Sequence, residues 1–232
     1  MKSVVLIILL VLAPLAQAAD DNNPPPKNPD PLIKVNRVTH KFNHVFDKIL
    51  LKPAAKVYRF LVPRFVRNRV SSFFGNLSDI NSSLNSFLQG KPKEGFRDIG
   101  RLAINTTFGI GGLFDPATSM GLQQQPEDFG QTFAVWGIPR GPYLELPFLG
   151  PSTFEDALGR PFDSYVYPVR RLYPVSHRNV LYGLDILDTR TKLLPLESTV
   201  FGDEYIFYRD AYLQRRNYLI NDGKVKDTFD DF

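Results

Sequence analysis

The sequence predicts an all-α protein built as a single domain of amphipathic helices. Apolar residues recur at steps of three and four through most of the chain, which is the spacing of one face of an α-helix. Prolines stand where several of these stretches begin, at positions where a missing N–H breaks no helical hydrogen bond. No stretch of alternating apolar and polar residues is long enough to indicate a barrel or sandwich of strands.

The first 31 residues do not have the pattern of a packed domain. Residues 1–18 have the form of a cleaved secretory signal peptide: Lys2 supplies the positive start, residues 4–15 are mostly apolar, and cleavage is expected after Ala18. Residues 19–31 form a polar, proline-rich tether. The chain is therefore expected to be exported from the cytoplasm.

The rest of the chain is expected to form one helical domain, at residues 32–223, followed by a mobile acidic tail at 224–232. The chain contains no cysteine, so its stability comes from packing or from a membrane and owes nothing to disulfides. The formal net charge of +4 comes without a long Lys/Arg run. This charge pattern argues against nucleic acid as a partner and leaves weak attraction to anionic lipid open.

Helix boundaries follow from proline, glycine and capping residues. We expect Ser152 to Glu155 to form a capping box at the start of one helix, and Asp185, Asp188 and Arg190 to pair within another. Extended chain is expected over residues 142–151, where proline spacing forbids a helix. The predicted helices are Leu32–Leu50 (ending before Pro53), Pro53–Leu61, a segment from Pro63 to Ile80, Asn81–Gln89, Pro92–Phe108, Asp128–Gly137, Thr153–Tyr167, Asn179–Leu193 and Glu204–Leu219.

Two interpretations of the aromatic helix faces remain open. Phe65, Phe73 and Phe74 lie opposite arginines on one predicted helix, and Trp136 is the only tryptophan. Such faces are typical of helices that lie in a membrane interface. They are also typical of helices that face an ordinary protein core. The first interpretation predicts that Phe65, Phe73, Phe74 and Trp136 contact the membrane.

The segment 105–159 is apolar and rich in glycine. It holds more than half of the chain's 16 glycines and few charged residues. Its run Gly109-Ile110-Gly111-Gly112 follows a helix and lacks the Gly-Lys-Ser/Thr ending of a phosphate-binding loop. The segment is therefore either a set of buried loops or a stiff non-helical lining that contacts an apolar ligand.

Catalytic and metal-binding patterns are missing from the sequence. His40 and His44 are four residues apart, but two ligands do not make a zinc site and no Glu follows the first histidine. There is no thiol nucleophile and no Gly-x-Ser-x-Gly elbow. The sequence therefore predicts a protein that is not an enzyme and has no catalytic residues, no metal and no cofactor.

Short motifs in a fixed order resemble the MlaA family, also called VacJ, of the Gram-negative outer membrane. The resemblance covers about residues 30–223. The matching pieces are Phe42-Asn43, Leu51-Lys52-Pro53, Asn76-Leu77, Phe87 to Gly90, Asn105 to Asp115, Asp128 to Thr132, Trp136-Gly137, Gly141 to Tyr143, Leu146-Pro147, Leu149 to Gly159 and Arg209 to Arg216.

The resemblance implies a ring of helices in the outer membrane around an amphipathic channel. Family members are thought to take phospholipids that have strayed into the outer leaflet and pass them to a periplasmic lipid-carrier protein, which maintains lipid asymmetry without cleaving bonds. They associate with trimeric porins. Residues 109–114 are then expected to be a flexible loop at the channel mouth. The implied lipid channel or gate residues are Phe42, Asn43, Asn105, Gly109, Gly111, Gly112, Leu113 and Phe114.

The sequence departs from the family pattern in one respect. Many family members carry a lipidated cysteine after the signal peptide, and this chain has none. Attachment to the periplasmic side of the outer membrane would then come from the helices or from a partner. The alternative function is an envelope or porin-associated scaffold that moves no lipid.

Overall fold

The computed structural model describes residues 30–223. The predicted signal peptide, residues 19–29 of the predicted tether and the predicted acidic tail lie outside the described residues. Within the described part the chain is 72% helical and 4% strand, which confirms the all-α fold class. None of the helices described there is long and apolar enough to cross a membrane.

The elements follow one another with short connections. The α-helices are α1 (Ile33–Phe46), α2 (Lys52–Leu61), α3 (Arg64–Leu88), α4 (Pro92–Thr107), α5 (Pro116–Ser119), α6 (Phe129–Val135), α7 (Phe154–Val166), α8 (Val175–Leu193) and α9 (Glu204–Ile220). A π-helical turn spans Asp47–Leu51, and 3-10 turns span Pro168–Arg171 and Leu194–Thr199. Two antiparallel strands, β1 (Tyr143–Leu146) and β2 (Gly150–Thr153), form a hairpin in the predicted extended segment.

The predicted break before Pro53 is wrong, because the helical backbone continues through it. The π turn at Asp47–Leu51 joins α1 to α2, and Leu51 and Lys52 keep right-handed helical dihedrals. A proline ring collides with the carbonyl four residues back in a regular helix, and its nitrogen has no proton to donate. A wider turn just before Pro53 accommodates both restrictions without ending the helix.

Two other boundary predictions are wrong. The pieces predicted to end at Ile80 and to begin at Asn81 are one continuous helix, α3, and α8 begins at Val175 instead of Asn179. The capping box is absent, because α7 is capped at Thr153 without a side-chain hydrogen bond and the Ser152 hydroxyl donates to the Thr153 carbonyl at 3.3 Å. Ser152 is buried in β2, which removes it from the helix end.

Packing contacts connect most of the elements in a closed circuit. The π turn joins α1 to α2, α2 packs on α8, α8 on α3, α3 on α6, α6 on α9, α9 on β2, and β1 on α1. The helix α4 packs against α3, and α7 packs against α6. This order of neighbours closes a ring, so elements far apart in sequence, such as α1 and β1, become neighbours.

Candidate functional site

The distribution of polar and apolar side chains between interior and surface is the reverse of that in a water-soluble domain. Among residues 30–223, the buried polar and charged side chains outnumber the buried apolar ones, and many large apolar side chains are exposed. Water-soluble proteins bury isoleucine, valine, leucine and phenylalanine and rarely bury charges. The exposed apolar side chains extend over α1 to α4 and α8, far beyond the size of one protein-binding patch. The pattern is that of a protein surrounded by hydrocarbon.

Helix α1 shows this reversal on one element. Its apolar side, which includes Val38 at 72% exposure and Phe42, faces outward. Its inner side carries Asn36, His40 and Asn43 at helical spacing, and Asn36 is buried. The amphipathic period predicted from the sequence for this helix is therefore confirmed: the apolar side is exposed and the polar side is turned inward.

The two asparagines of α1 hold the hairpin in place. Asn36 donates to the Tyr143 carbonyl at 3.0 Å and accepts from the Glu145 amide at 3.0 Å. Asn43 donates to the Leu146 carbonyl at 2.9 Å and accepts from the Phe148 amide at 2.8 Å. A side-chain amide is both donor and acceptor, so each asparagine satisfies two backbone groups of the strand edge.

The glycine-rich run after α4 is a compact, hydrogen-bonded turn. The amides of Gly111 and Gly112 donate to Thr106 and Asn105 at 3.0 and 2.9 Å, and the Phe114 amide donates to the Gly109 carbonyl at 2.9 Å. A Cβ on Gly109 would lie 2.4 Å from two carbonyl oxygens, so this position accepts only glycine. These hydrogen bonds place the turn against the end of α4, and the flexibility expected for residues 109–114 stays a prediction.

Asn105 fixes the far end of this turn. Its side-chain nitrogen donates to Asp115 at 3.0 Å, and its oxygen accepts from the Ala117 amide at 3.1 Å. Asp115 caps the short helix α5 by accepting from the Thr118 amide at 3.0 Å. These hydrogen bonds hold the pKa of the Asp115 carboxyl below its usual value, although partial burial opposes the shift.

A groove of about 730 Å³ opens between this turn and α3. Its apolar wall is formed by Phe108, which is 73% exposed, and Phe114. Its polar wall contains Arg69 from α3 and Lys192 from α8, and Asp115 is its one carboxylate. We call this feature the Arg69 groove; its lining is completed by Asn68, Ser71, Ser72, Pro116 and Ser119.

Arg69 occupies the centre of the polar wall. Its guanidinium carbon lies 4.3 Å from the ring centre of Phe114 and 4.8 Å from that of Phe65, so aromatic rings cover the cation. One terminal nitrogen donates to the Leu113 carbonyl at 3.5 Å. The buried Nε has no hydrogen-bond partner among the described residues. The terminal nitrogens make no other hydrogen bond to the described residues, so they, and not the buried Nε, keep donor capacity for an anion in the groove.

Lys192 brings a second cation from the neighbouring helix α8. Its Nζ lies 2.7 Å from Asp188, one helical turn earlier, and the Asp188 carboxylate also accepts from the Ser71 hydroxyl at 2.8 Å. The Lys192 side chain is about half exposed. The groove therefore combines two aromatic rings with two cations, which suits a molecule with acyl chains and a phosphate.

A second cavity, of about 810 Å³, lies between α1, α2, α8 and α9. Lys48, Lys52 and Lys56 line it at four-residue steps. Arg190 pairs there with Asp47 at 2.6 Å and with Glu197. The predicted pairing of Arg190 within α8 is therefore wrong, because the ring brings carboxylates from other elements to it. Asp185 also has a partner outside its helix, since it accepts from the Tyr167 hydroxyl at 3.0 Å.

The predicted channel residues lie in two separate places. Asn105, Gly109, Gly111, Gly112, Leu113 and Phe114 form or anchor the glycine turn, and Phe114 lines the Arg69 groove. Phe42 and Asn43 lie instead at the hairpin, where the Phe42 ring meets Phe148 edge-on at 5.0 Å. The structure does not bring these two groups together.

The four predicted membrane-interface residues differ in their exposure. Phe65 and Trp136 are exposed, Phe73 is half-buried, and Phe74 is buried at 6% exposure. The prediction for Phe74 is wrong, because it lies one helix position past Phe73 and turns into the protein. Sequence reasoning missed Arg69 and Lys192 as groove residues. The arginines opposite the aromatic face of α3 were the signal for Arg69, and nothing in the sequence places Lys192 beside it.

No cluster of three or more potential ligands for a metal ion occurs within residues 30–223. His40 and His44 face different carboxylates, Glu145 at 3.6 Å and Glu204 at 3.0 Å, respectively.

Comparison with known proteins identifies the family of this fold. The chain matches the MlaA lipoprotein family over residues 28–219. It belongs to the MlaA family. A solved MlaA-family neighbour, reported for the structural basis for maintenance of bacterial outer membrane lipid asymmetry, has a TM-score of 0.72 and 34% identity, and the match covers 83% of this chain and 99% of that one.

Curated relatives match at similar levels. The intermembrane phospholipid transport system lipoprotein MlaA of Escherichia coli (strain K12) is 37% identical over 205 residues, which cover 85% of this chain and 80% of the relative. The protein of the same name from Haemophilus influenzae is 32% identical over 206 residues, with 86% and 82% covered. Both relatives are named lipoproteins, whereas these 232 residues contain no cysteine.

Proposed function

We propose that this MlaA-family chain transports phospholipids and so maintains the lipid asymmetry of the outer membrane. The observation that carries the proposal is the Arg69 groove, which opens on a protein whose apolar side chains face outward. The names of the relatives, which refer to intermembrane phospholipid transport, support the same substrate. Misplaced phospholipid from the outer leaflet is the proposed cargo.

The groove suggests how a phospholipid would be held. Arg69 and Lys192 face the phosphate, because guanidinium and ammonium groups donate charge-assisted hydrogen bonds to phosphate oxygens. Phe108 and Phe114 contact the acyl chains. Irregular backbone such as the glycine turn is tolerated at membrane depth where it lines a cavity or is buried in protein. No bond is broken in this process, so the function does not require catalytic residues.

The proposed location is the periplasmic side of the outer membrane. Because the chain has no cysteine, the exposed apolar faces of α1, α3 and α4 would supply the attachment that a lipid anchor gives the relatives. The proposed partners are a periplasmic lipid-carrier protein, which takes the phospholipid onward, and a trimeric porin. A protein of this kind supplies no energy, so the carrier and the steps beyond it set the direction of flow.

The test is the amount of phospholipid in the outer leaflet of cells that lack the chromosomal gene. Reintroducing the intact gene should lower this amount. Arg69→Gln and Lys192→Gln, singly and together, should leave it high, because the groove then loses its phosphate donors. Lys93→Gln is the matched control, since Lys93 is an exposed residue of α4 and does not line the groove.

Protein abundance decides how the result is interpreted. Full complementation by the double Arg69/Lys192 variant at normal abundance would exclude the groove as the lipid path. No change in outer-leaflet phospholipid on deletion of the gene would contradict transport altogether and support a non-transporting porin-associated scaffold.

A further inference from the structure

The segment between α7 and α8 is strongly basic and aromatic. No aspartate or glutamate occurs from residue 164 to residue 184, whereas this stretch contains Arg170, Arg171 and Arg178. Tyr173, which lies just before α8, is 85% exposed. Tyr165, on the last turn of α7, is also exposed. We call the set Tyr165, Arg170, Arg171, Tyr173 and Arg178 the Arg–Tyr patch.

Two arginines of the patch lie over a ring, and none of the three contacts a carboxylate of the described residues. Arg170 also donates to the Ser164 hydroxyl at 3.4 Å. The guanidinium carbons of Arg170 and Arg171 lie 5.8 and 5.7 Å from the ring centre of Tyr165. Within residues 30–223, none of the three arginines forms an ion pair. A cation over an aromatic face keeps its charge and its outer N–H donors for another acceptor.

The carboxylates that border the segment have partners inside the protein. Asp163 accepts from Asn81 at 2.8 Å and from the Phe129 amide at 3.0 Å. Asp185 accepts from the Tyr167 hydroxyl at 3.0 Å. The Arg–Tyr patch is thus left with its positive charge unbalanced by the residues next to it in sequence.

The patch adjoins apolar surface on both sides. Along α8, Val175, Ile186 and Leu193 are exposed and share one helical face, since they are separated by eleven and seven residues. On α7, Phe162 is exposed and packs against Phe133, with 5.7 Å between ring centres. A basic aromatic surface that borders an apolar one is the arrangement found where a protein passes from hydrocarbon to lipid headgroups.

We propose that the Arg–Tyr patch binds the phosphates of anionic phospholipids at the membrane surface and fixes the depth at which α8 lies. Tyrosine favours the interface because its ring is apolar and its hydroxyl is wet. Arginine extends its charged end to the headgroups while its stem stays on apolar surface. The apolar stripe of α8 favours lipid over an acidic protein as the occupant. This anchoring surface is separate from the Arg69 groove and does not depend on transport.

The experiment measures partition of the purified full chain from detergent into vesicles of phosphatidylcholine, with and without one-third phosphatidylglycerol. The intact protein should favour the anionic vesicles. The double variant R170Q/R171Q should lose roughly 30-fold of that preference, since each arginine near an anionic surface contributes roughly a fivefold effect and the two effects multiply. The R170K/R171K variant should retain most of it, because the charge remains.

The matched control is K56Q/R215Q, which removes the same charge from two exposed residues, Lys56 of α2 and Arg215 of α9. It should change the preference less than about threefold, since its charges lie outside the patch and outside the exposed apolar faces of α1, α3 and α4. An equal loss in K56Q/R215Q and R170Q/R171Q would overturn the proposal, because net charge alone would then explain the binding. A retained preference in R170Q/R171Q with unchanged helicity would overturn it as well.

Discussion

The guanidinium Nε of Arg101 lies 3.1 Å from the carboxylate of Asp79, and both side chains are buried between α3 and α4. Arg101 also donates to the Thr118 hydroxyl at 3.0 Å and to Asp115 at 3.2 Å. Burial raises the pKa of the Asp79 carboxyl, and the hydrogen bonds from Gln124 and Arg101 oppose that rise. One arginine thus connects the α3–α4 pair to the end of the glycine turn.

The variant Arg101→Ala should strongly destabilise the protein. It leaves the buried Asp79 carboxylate without its cation, and removal of one partner of a buried ion pair costs about 3–5 kcal/mol. Thermal unfolding in detergent measures the change. Asp79→Asn is the control and should cost less, because the amide keeps a hydrogen-bond acceptor for Arg101 and removes the buried charge. Equal midpoints for Arg101→Ala and the unmodified protein would show that the pair is not a structural link.

The hairpin should loosen when Asn43 is replaced. Asn43→Ala leaves the Leu146 carbonyl and the Phe148 amide without their side-chain partner, and one intramolecular hydrogen bond contributes about 0.5–1.5 kcal/mol. Hydrogen exchange at the Phe148 amide reports this directly and should accelerate by about tenfold or more. Lys41→Ala, on the exposed side of the same helix, is the control. Unchanged protection of Phe148 in Asn43→Ala would refute the assignment of this bond.

Helix positions were largely predictable because local signals determine them. Pro92 begins α4, Gly90 follows α3, and Asp203 caps α9 by accepting from the Ile206 amide at 3.2 Å. Such signals depend on backbone groups within one turn and are therefore visible in the sequence. The π turn before Pro53 is an exception, since it allows helix to continue where proline usually ends it.

The direction of each helix face was not predictable in the same way. A period of 3.6 residues shows that α1 has an apolar side, but not whether that side meets protein or lipid. The orientation of α1 is determined by its polar side, where Asn36 and Asn43 bind the hairpin, which comes about a hundred residues later in the chain. The same limit applies to Arg190, whose partner Asp47 lies on a neighbouring element but 143 residues earlier in the sequence.

Gly111 and Gly112 should respond differently to substitution, although both have positive φ values of 67° and 88°. A Cβ on Gly112 would lie 2.5 Å from the Asn76 side chain, whereas a Cβ on Gly111 meets nothing within 4 Å. Gly112→Ala should therefore lower the abundance of the protein. Gly111→Asn should leave it folded with a loss of about 1 kcal/mol or less, because asparagine tolerates this backbone conformation.

Abundance in the membrane fraction and the thermal midpoint in detergent measure both glycine variants. Because Gly111→Asn is expected to fold, a loss of transport in this variant would report on the function of the turn. Equal destabilisation by Gly111→Asn and Gly112→Ala would show that contact with Asn76 does not limit this turn.

Glu155 should make the stability of the protein depend on pH. Its side chain is fully buried in the first turn of α7, and the Arg140 Nε lies 3.5 Å from its carboxylate. Burial raises the pKa of the Glu155 carboxyl from 4.5 to about 7. The raised value means that the folded protein binds this proton more tightly than the unfolded chain. The stabilisation is complete below the unfolded pKa and is lost as pH rises through about 7.

The thermal midpoint of the intact protein should therefore fall as pH increases from 5 to 8, by an amount that corresponds to on the order of 3 kcal/mol from Glu155. Glu155→Gln should remove roughly half of this slope, mainly the part above pH 6. The part that remains comes from Asp98 and Asp156, whose pKa values burial raises to about 6. Glu94→Gln, in the first turn of α4, is the control and should keep the slope of the intact protein. A slope that survives unchanged in Glu155→Gln would mean that this carboxyl is already ionised in the folded state at neutral pH, with Arg140 compensating its charge.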